Sequence, residues 1–105
     1  MGEKIAEVVW TDPAKKDLRQ IFDYYFSVAG ERVAEKIANG ILEEIEILFL
    51  QPQVGAIEEL LLHKQDLYRY LVKGNYKIIY RVKKNVIVID ALFDCRQNPT
   101  KMKVT

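Results

Sequence analysis

The sequence predicts an α+β domain of order β-α-α-β-β-β, with a helical hairpin packed on one face of a mostly antiparallel twisted sheet. Three observations predict it. Two consecutive stretches repeat apolar residues at steps of three and four, the period changes to two from Tyr68 onward, and the tripeptides KGN and KKN punctuate the second half as tight turns. With 105 residues, 50% of them hydrophobic, the chain is expected to form a single domain over residues 1–105 around one core.

The elements follow in order. Residues 4 to 10, KIAEVVW, mix β-branched and aromatic side chains and suit a first strand ending at Trp10. TDPA then opens a helix, with Asp12 expected as N-cap and Pro13 at the first helical position, where its missing N–H costs nothing. Ala14, Leu18, Ile21, Phe22, Tyr25 and Ala29 form the apolar stripe of that helix, and Gly30 closes it. A second stripe, Val33, Ile37, Ala38, Ile41, Ile45, Leu48 and Phe49, follows at once, so the two helices must run antiparallel. QPQVGA, residues 51 to 56, breaks the pattern with Pro52 and Gly55.

From Tyr68 the side chains alternate. Tyr76, Ile78, Tyr80 and Val82 are expected to face the helices, with Tyr68, Tyr70 and Val72 continuing that face on the preceding strand. That parity puts Arg69, Leu71, Lys73, Lys77, Ile79 and Arg81 on the open face. VIVIDALF, residues 86 to 93, is apolar nearly throughout, as a strand with neighbours on both sides should be.

Composition narrows the chemistry. A lone Cys95 and a lone His63, with no Cys/His cluster at ligand spacing, give no disulfide framework and no metal site, and no cofactor motif is present. No segment has the apolar length of a membrane span or a signal peptide, so a cytoplasmic protein with no membrane partner is expected. The net charge of +1 hides a division: residues 1 to 62 hold 6 basic and 12 acidic side chains (net −6), and the remainder 10 basic and 3 acidic (net +7). Such polarity can steer a charged partner to one side of the molecule, and it is equally the pattern of a solvated acidic helix surface beside a solvated basic sheet.

The runs WTDPAKKDLRQIFDYY, LFLQPQVG and LYRYLVKGNYKIIYRVKKNVIVIDALFDCRQNP together resemble the toxins of bacterial RelE/ParE toxin–antitoxin modules over nearly the whole chain. The resemblance implies a toxin neutralised by a cognate antitoxin that folds over it as a hetero-oligomer. Two branches are implied: cleavage of mRNA on the ribosome in RelE-like members, and poisoning of DNA gyrase in ParE-like ones. By resemblance, Arg69, Lys77 and Arg96 occupy the positions of the RelE cations. The pattern then departs, because Leu71 stands where a second Lys belongs and the tail KMKVT has no Tyr to serve as acid. The ParE-like branch is therefore favoured, with a RelE-like nuclease and a non-toxic peptide-binding adaptor as alternatives. The implied target-binding residues are Arg69, Lys73, Lys77, Arg81, Arg96 and Asn98, and the implied antitoxin-binding residues are Leu18, Phe22, Tyr25, Tyr68 and Tyr70, with residues 68 to 73 as an exposed strand for pairing. On an open face, loss of Lys77 or Arg96 should change stability by no more than about 0.5 kcal/mol.

Overall fold

The structure is a computed structural model that describes residues 4–104; MGE at the start and Thr105 at the end lie outside it. Strand β1 is Glu7–Trp10, helices α1 and α2 are Asp12–Ala29 and Glu31–Glu46, and strands β2 to β5 are Ala56–Ile57, Arg69–Lys73, Tyr76–Lys83 and Val86–Asp94. Single 3-10 turns lie at Ile47–Phe49, Glu59–Leu61 and Pro99–Lys101. The sheet order is β1-β5-β4-β3-β2, with β1 parallel to β5 and every other pair antiparallel.

Local chemistry explains most boundaries. Thr11, one residue earlier than expected, is the N-cap of α1: its side chain accepts from the Ala14 N–H at 3.2 Å, and its own hydroxyl donates to the Asp90 carbonyl. Asp12 is thereby the first helical residue, its charge still favourable at the positive end of the helix. Gly30 ends α1 at φ +90°, a conformation L side chains avoid, and its N–H closes on the Phe26 carbonyl. The expected first strand is shorter than residues 4 to 10, because pairing with β5 begins at Glu7 opposite Val86. The two-residue strand β2, which caps the far edge of β3 at Arg69 and Tyr70, has too little length for a periodic signal.

The main core lies between the helical hairpin and the sheet. Ala14, Ile21, Ile41, Ile45 and Leu48 from the helices meet Tyr76, Ile78, Tyr80, Ile87, Ile89 and Leu92 from the strands. The parity expected for β4 holds, but that expected for β3 is inverted. Arg69 stands opposite Tyr80, Leu71 opposite Ile78 and Lys73 opposite Tyr76, and directly opposed residues project to the same face. Arg69, Leu71 and Lys73 are thus on the helix side, and Tyr68, Tyr70 and Val72 on the other. That other face is not open: Tyr68, Ile79 and Ala91 form a second apolar cluster with Leu61 and Met102, joined by Tyr70, Phe93 and Val104. The loop before β3 and the C-terminal segment therefore cover it.

Tyr80 fastens the sheet to the loop that follows α2. Its fully buried hydroxyl accepts from the Gly55 N–H at 3.0 Å and donates to the Pro52 carbonyl at 2.9 Å. A Cβ on Gly55 would stand 2.6 Å from that hydroxyl, which is why the loop narrows to glycine here. Tyr80→Phe leaves both backbone groups without a partner and is expected to lower unfolding stability by about 1.5 kcal/mol in urea titration. A loss under about 0.3 kcal/mol would mean that water replaces the hydroxyl.

Candidate functional site

Four of the cations of the strand pair β3–β4, Arg69, Lys77, Arg81 and Lys83, prove to be engaged by a carboxylate or carbonyl supplied from elsewhere in the chain. Lys77 Nζ lies 2.8 Å from the Glu58 carboxylate and 4.2 Å from the Tyr70 ring centroid. Glu58 is only 3% exposed, and its second oxygen caps the following turn by accepting from the Leu60 N–H. Arg81 makes a fork on Asp90, at 2.8 and 3.1 Å, and spends its remaining terminal nitrogen on Asp66 at 2.8 Å. Lys83 reaches the other oxygen of Asp66. Arg69 turns back under the sheet edge and donates to the carbonyls of Gln53 and Gly55.

The bulge in β5 creates the Arg81 fork. Pairing slips between Ile79 and Tyr80, so that Ala91 and Ile89 face them and Asp90 is the extra residue. The slip turns the Asp90 side chain, fully buried, onto the same face as Arg81. Burial pushes the Asp90 carboxyl above its ordinary pKa, while the two guanidinium bonds pull it back towards the ionised form. The bonds to Lys83 and Arg81 hold Asp66 below the usual carboxylate range.

Arg96 sits past the end of β5 and grips Asp94, with Nε at 2.9 Å from one oxygen and a terminal nitrogen at 2.8 Å from the other. That grip lowers the Asp94 pKa. Asn98 caps the last 3-10 turn by accepting from the Thr100 N–H. Lys73, the remaining sequence candidate, lies with its stem against Gly40 of α2. Asp17 on α1 is half-buried and accepts the Leu92 N–H at 3.0 Å, closing the part of the β5 edge that β1 does not reach; burial raises its pKa.

The sequence candidates for one basic face are thus split. Lys77 and Arg81 share one side of the sheet, Arg69 and Lys73 the other, and Arg96 stands beyond the strand end. Glu58, Asp66 and Asp90 were not expected as partners. One signal for Asp90 was legible, since a lone carboxylate inside the apolar run VIVIDALF needs a cation opposite it. Lys77, expected as an exposed cation on an open face, is instead the counter-ion of a buried glutamate.

A family model for the ParE toxin of the type II toxin–antitoxin system parDE matches residues 8–99. The chain belongs to that family. Among solved structures it resembles a chain of the chromosomal ParDE TA system from P. aeruginosa, with a TM-score of 0.71 and 24% identity over 88% of this chain and 98% of that one, a likeness of fold. No curated protein matches the sequence. Within this ParE toxin, the residues expected to meet an antitoxin also separate: Leu18 and Tyr25 pack on the main core and Phe22 leans on Phe26, whereas Tyr68 is buried in the second cluster on the opposite face, beside Tyr70. The strand expected to be open for pairing is covered by β2 at Arg69 and Tyr70, which leaves Leu71 to Lys73 as its uncovered part. No described helix is long and apolar enough to cross a membrane, and the described residues contain no cluster suited to a metal ion.

Proposed function

We propose that this ParE-family toxin arrests growth by poisoning DNA gyrase in the cytoplasm, that a cognate antitoxin holds it inactive as a hetero-oligomer, and that it does not cut mRNA. The observation that supports this reading is the dispersal of Arg69, Lys77 and Arg96. In-line cleavage of RNA needs several groups converging on one phosphate: a base, cations for the developing charge, and an acid for the leaving oxygen. Arg69 and Lys77 project from opposite faces of the sheet, Lys77 is neutralised by Glu58, and Arg96 is neutralised by Asp94. Groups that act as a unit lose most of their effect when one is missing. Arg96, Lys101 and Lys103 remain on the surface around the end of β5 and the C-terminal segment, where they suit a protein target.

The assay uses purified toxin in two reactions. With gyrase and supercoiled plasmid, accumulation of cleaved plasmid or loss of supercoiling is expected; with translating ribosomes, intact mRNA is expected. Codon-positioned mRNA cuts together with undisturbed gyrase would overturn the reading.

A further inference from the structure

A cavity of about 240 Å³ opens between α2 and the β3–β4 turn, on the helix side of the sheet. Its floor is apolar, made by Ile37, Ile41, Tyr25 and Tyr76, and its rim carries Lys36 and Lys73. Among the described residues neither lysine has a carboxylate within ion-pair distance, in contrast with Lys77, Arg81 and Lys83. Lining the cavity there is no acidic side chain. Tyr76 donates to the Tyr25 hydroxyl at 3.5 Å, so the phenols satisfy each other and the lysines set the local field.

Gly40 keeps the cavity open. It sits inside α2, where glycine costs roughly 1 kcal/mol against alanine. A Cβ there would meet only the Lys73 Cε, at 3.1 Å, the flexible end of a side chain that could move away. Packing of the free protein therefore does not demand glycine, and the missing side chain leaves space above Ile41 and lets Lys73 lie across the helix. Lys36 is one helical turn before Gly40 on the same face, so it lines the cavity together with Lys73, whose stem lies against Gly40.

Size and charge choose the occupant. A volume of about 240 Å³ is below the roughly 300 Å³ at which cofactor-sized pockets begin, and fits a single apolar side chain used as an anchor. Two unpaired lysines beside it call for carboxylates on the same segment, and the mostly apolar floor, whose two phenols bond each other, suits an apolar anchor better than a polar ligand. We propose that this cavity is an anchor site for the antitoxin, taking one leucine- or phenylalanine-sized side chain flanked by acidic residues that pair with Lys36 and Lys73. The inference rests on the toxin–antitoxin reading above and adds to it the chemistry of the docking segment.

Two measurements on the full chain test it. In amide NMR spectra, N-acetyl-L-leucine, an isobutyl group with a carboxylate, is expected to shift Gly40, Gly74 and Asn75, with N-acetyl-L-leucinamide about tenfold weaker. Absence of shifts at millimolar probe, equal effects of the two probes, or the same shifts produced by concentrating the protein alone would overturn the proposal. In titration calorimetry with the protein encoded by the adjoining reading frame, Lys36→Glu and Lys73→Glu are each expected to weaken binding about tenfold, and Gly40→Leu at least as much, while Lys15→Glu leaves it unchanged. Binding by the wild type that ignores all three changes would sink the anchor site and leave the toxin reading intact; no binding by the wild type would sink both.

Discussion

Arg81→Ala is expected to lower the unfolding free energy by about 4 kcal/mol, because breaking a buried pair leaves an uncompensated charge behind. Asp90 has no exposed side-chain surface, and both its oxygens are bonded to the one guanidinium. The unpaired carboxyl has a pH signature. Without Arg81, burial and the negative charge of Asp66 both push the Asp90 carboxyl up, so the folded protein holds a proton at pH values where the unfolded chain has released it. Stability of the variant should therefore rise as pH falls from neutral through that raised pKa, and the gap from wild type should narrow. The double variant Arg81→Met with Asp90→Leu should recover most of the loss, since an apolar pair of similar size replaces the ion pair without the desolvation cost. Urea unfolding at several pH values measures all three. A loss below about 1 kcal/mol at neutral pH would show that Arg81 behaves as an ordinary surface cation.

Lys77→Ala is the second large effect, expected at about 2 to 3 kcal/mol in the same measurement. Glu58 would keep only the Leu60 N–H for its carboxylate, and the contact of the ammonium with Tyr70 would be lost as well. Glu58→Gln with Lys77→Met should cost less than Lys77→Ala alone, because no buried charge remains. Loss of toxicity in Lys77→Ala cells would then report lost folded protein, and only a variant of measured stability can assign Lys77 a part in target recognition. If Lys77→Ala unfolds at the wild-type midpoint, the Glu58 pair contributes nothing and the residue returns to the surface cations.

The helices were legible because each carries one apolar stripe, and β4 because its helix-side residues keep one parity, although Ile79 is buried on its other face as well. Ala14, Leu18, Ile21 and Tyr25 share one stripe, and Tyr76, Ile78 and Tyr80 share one parity. Strand β3 was not legible by the same rule. It buries Leu71 against one face and Tyr68 and Tyr70 against the other, so hydrophobicity favours neither register. The decisive clue was the turn: counting back across Gly74 and Asn75 pairs Lys73 with Tyr76, which assigns Lys73, Leu71 and Arg69 to the helix side and Val72 and Tyr70 to the other. The second apolar cluster depended on Leu61, the middle of three consecutive leucines, and on Met102, alone between two lysines, both in segments without periodicity, and the carboxylates of Glu58 and Asp66 come from the same kind of loop. Of the candidate site, the residue types were visible, and so were the carboxylates of Asp90 and Asp94 within or beside the last strand, but the loop partners Glu58 and Asp66 were not. A run of cations at alternate positions looks the same whether it awaits a ligand or already holds buried acids.

The parallel pairing of β1 with β5 has a consequence for how the protein comes into being. Val8 sits beside Ile87, and the Thr11 hydroxyl reaches the Asp90 carbonyl 79 positions away. The strand made last is therefore the one that the strand made first must wait for, and it also brings Ile87, Ile89 and Leu92 into the main core. Contacts so remote in sequence raise the contact order, and folding slows as contact order rises. Until β5 is made, the chain lacks the strand that lies between β1 and β4 in the finished sheet. Only with β5 in place are β1 and β4 joined into one sheet and the Arg81–Asp90 pair formed.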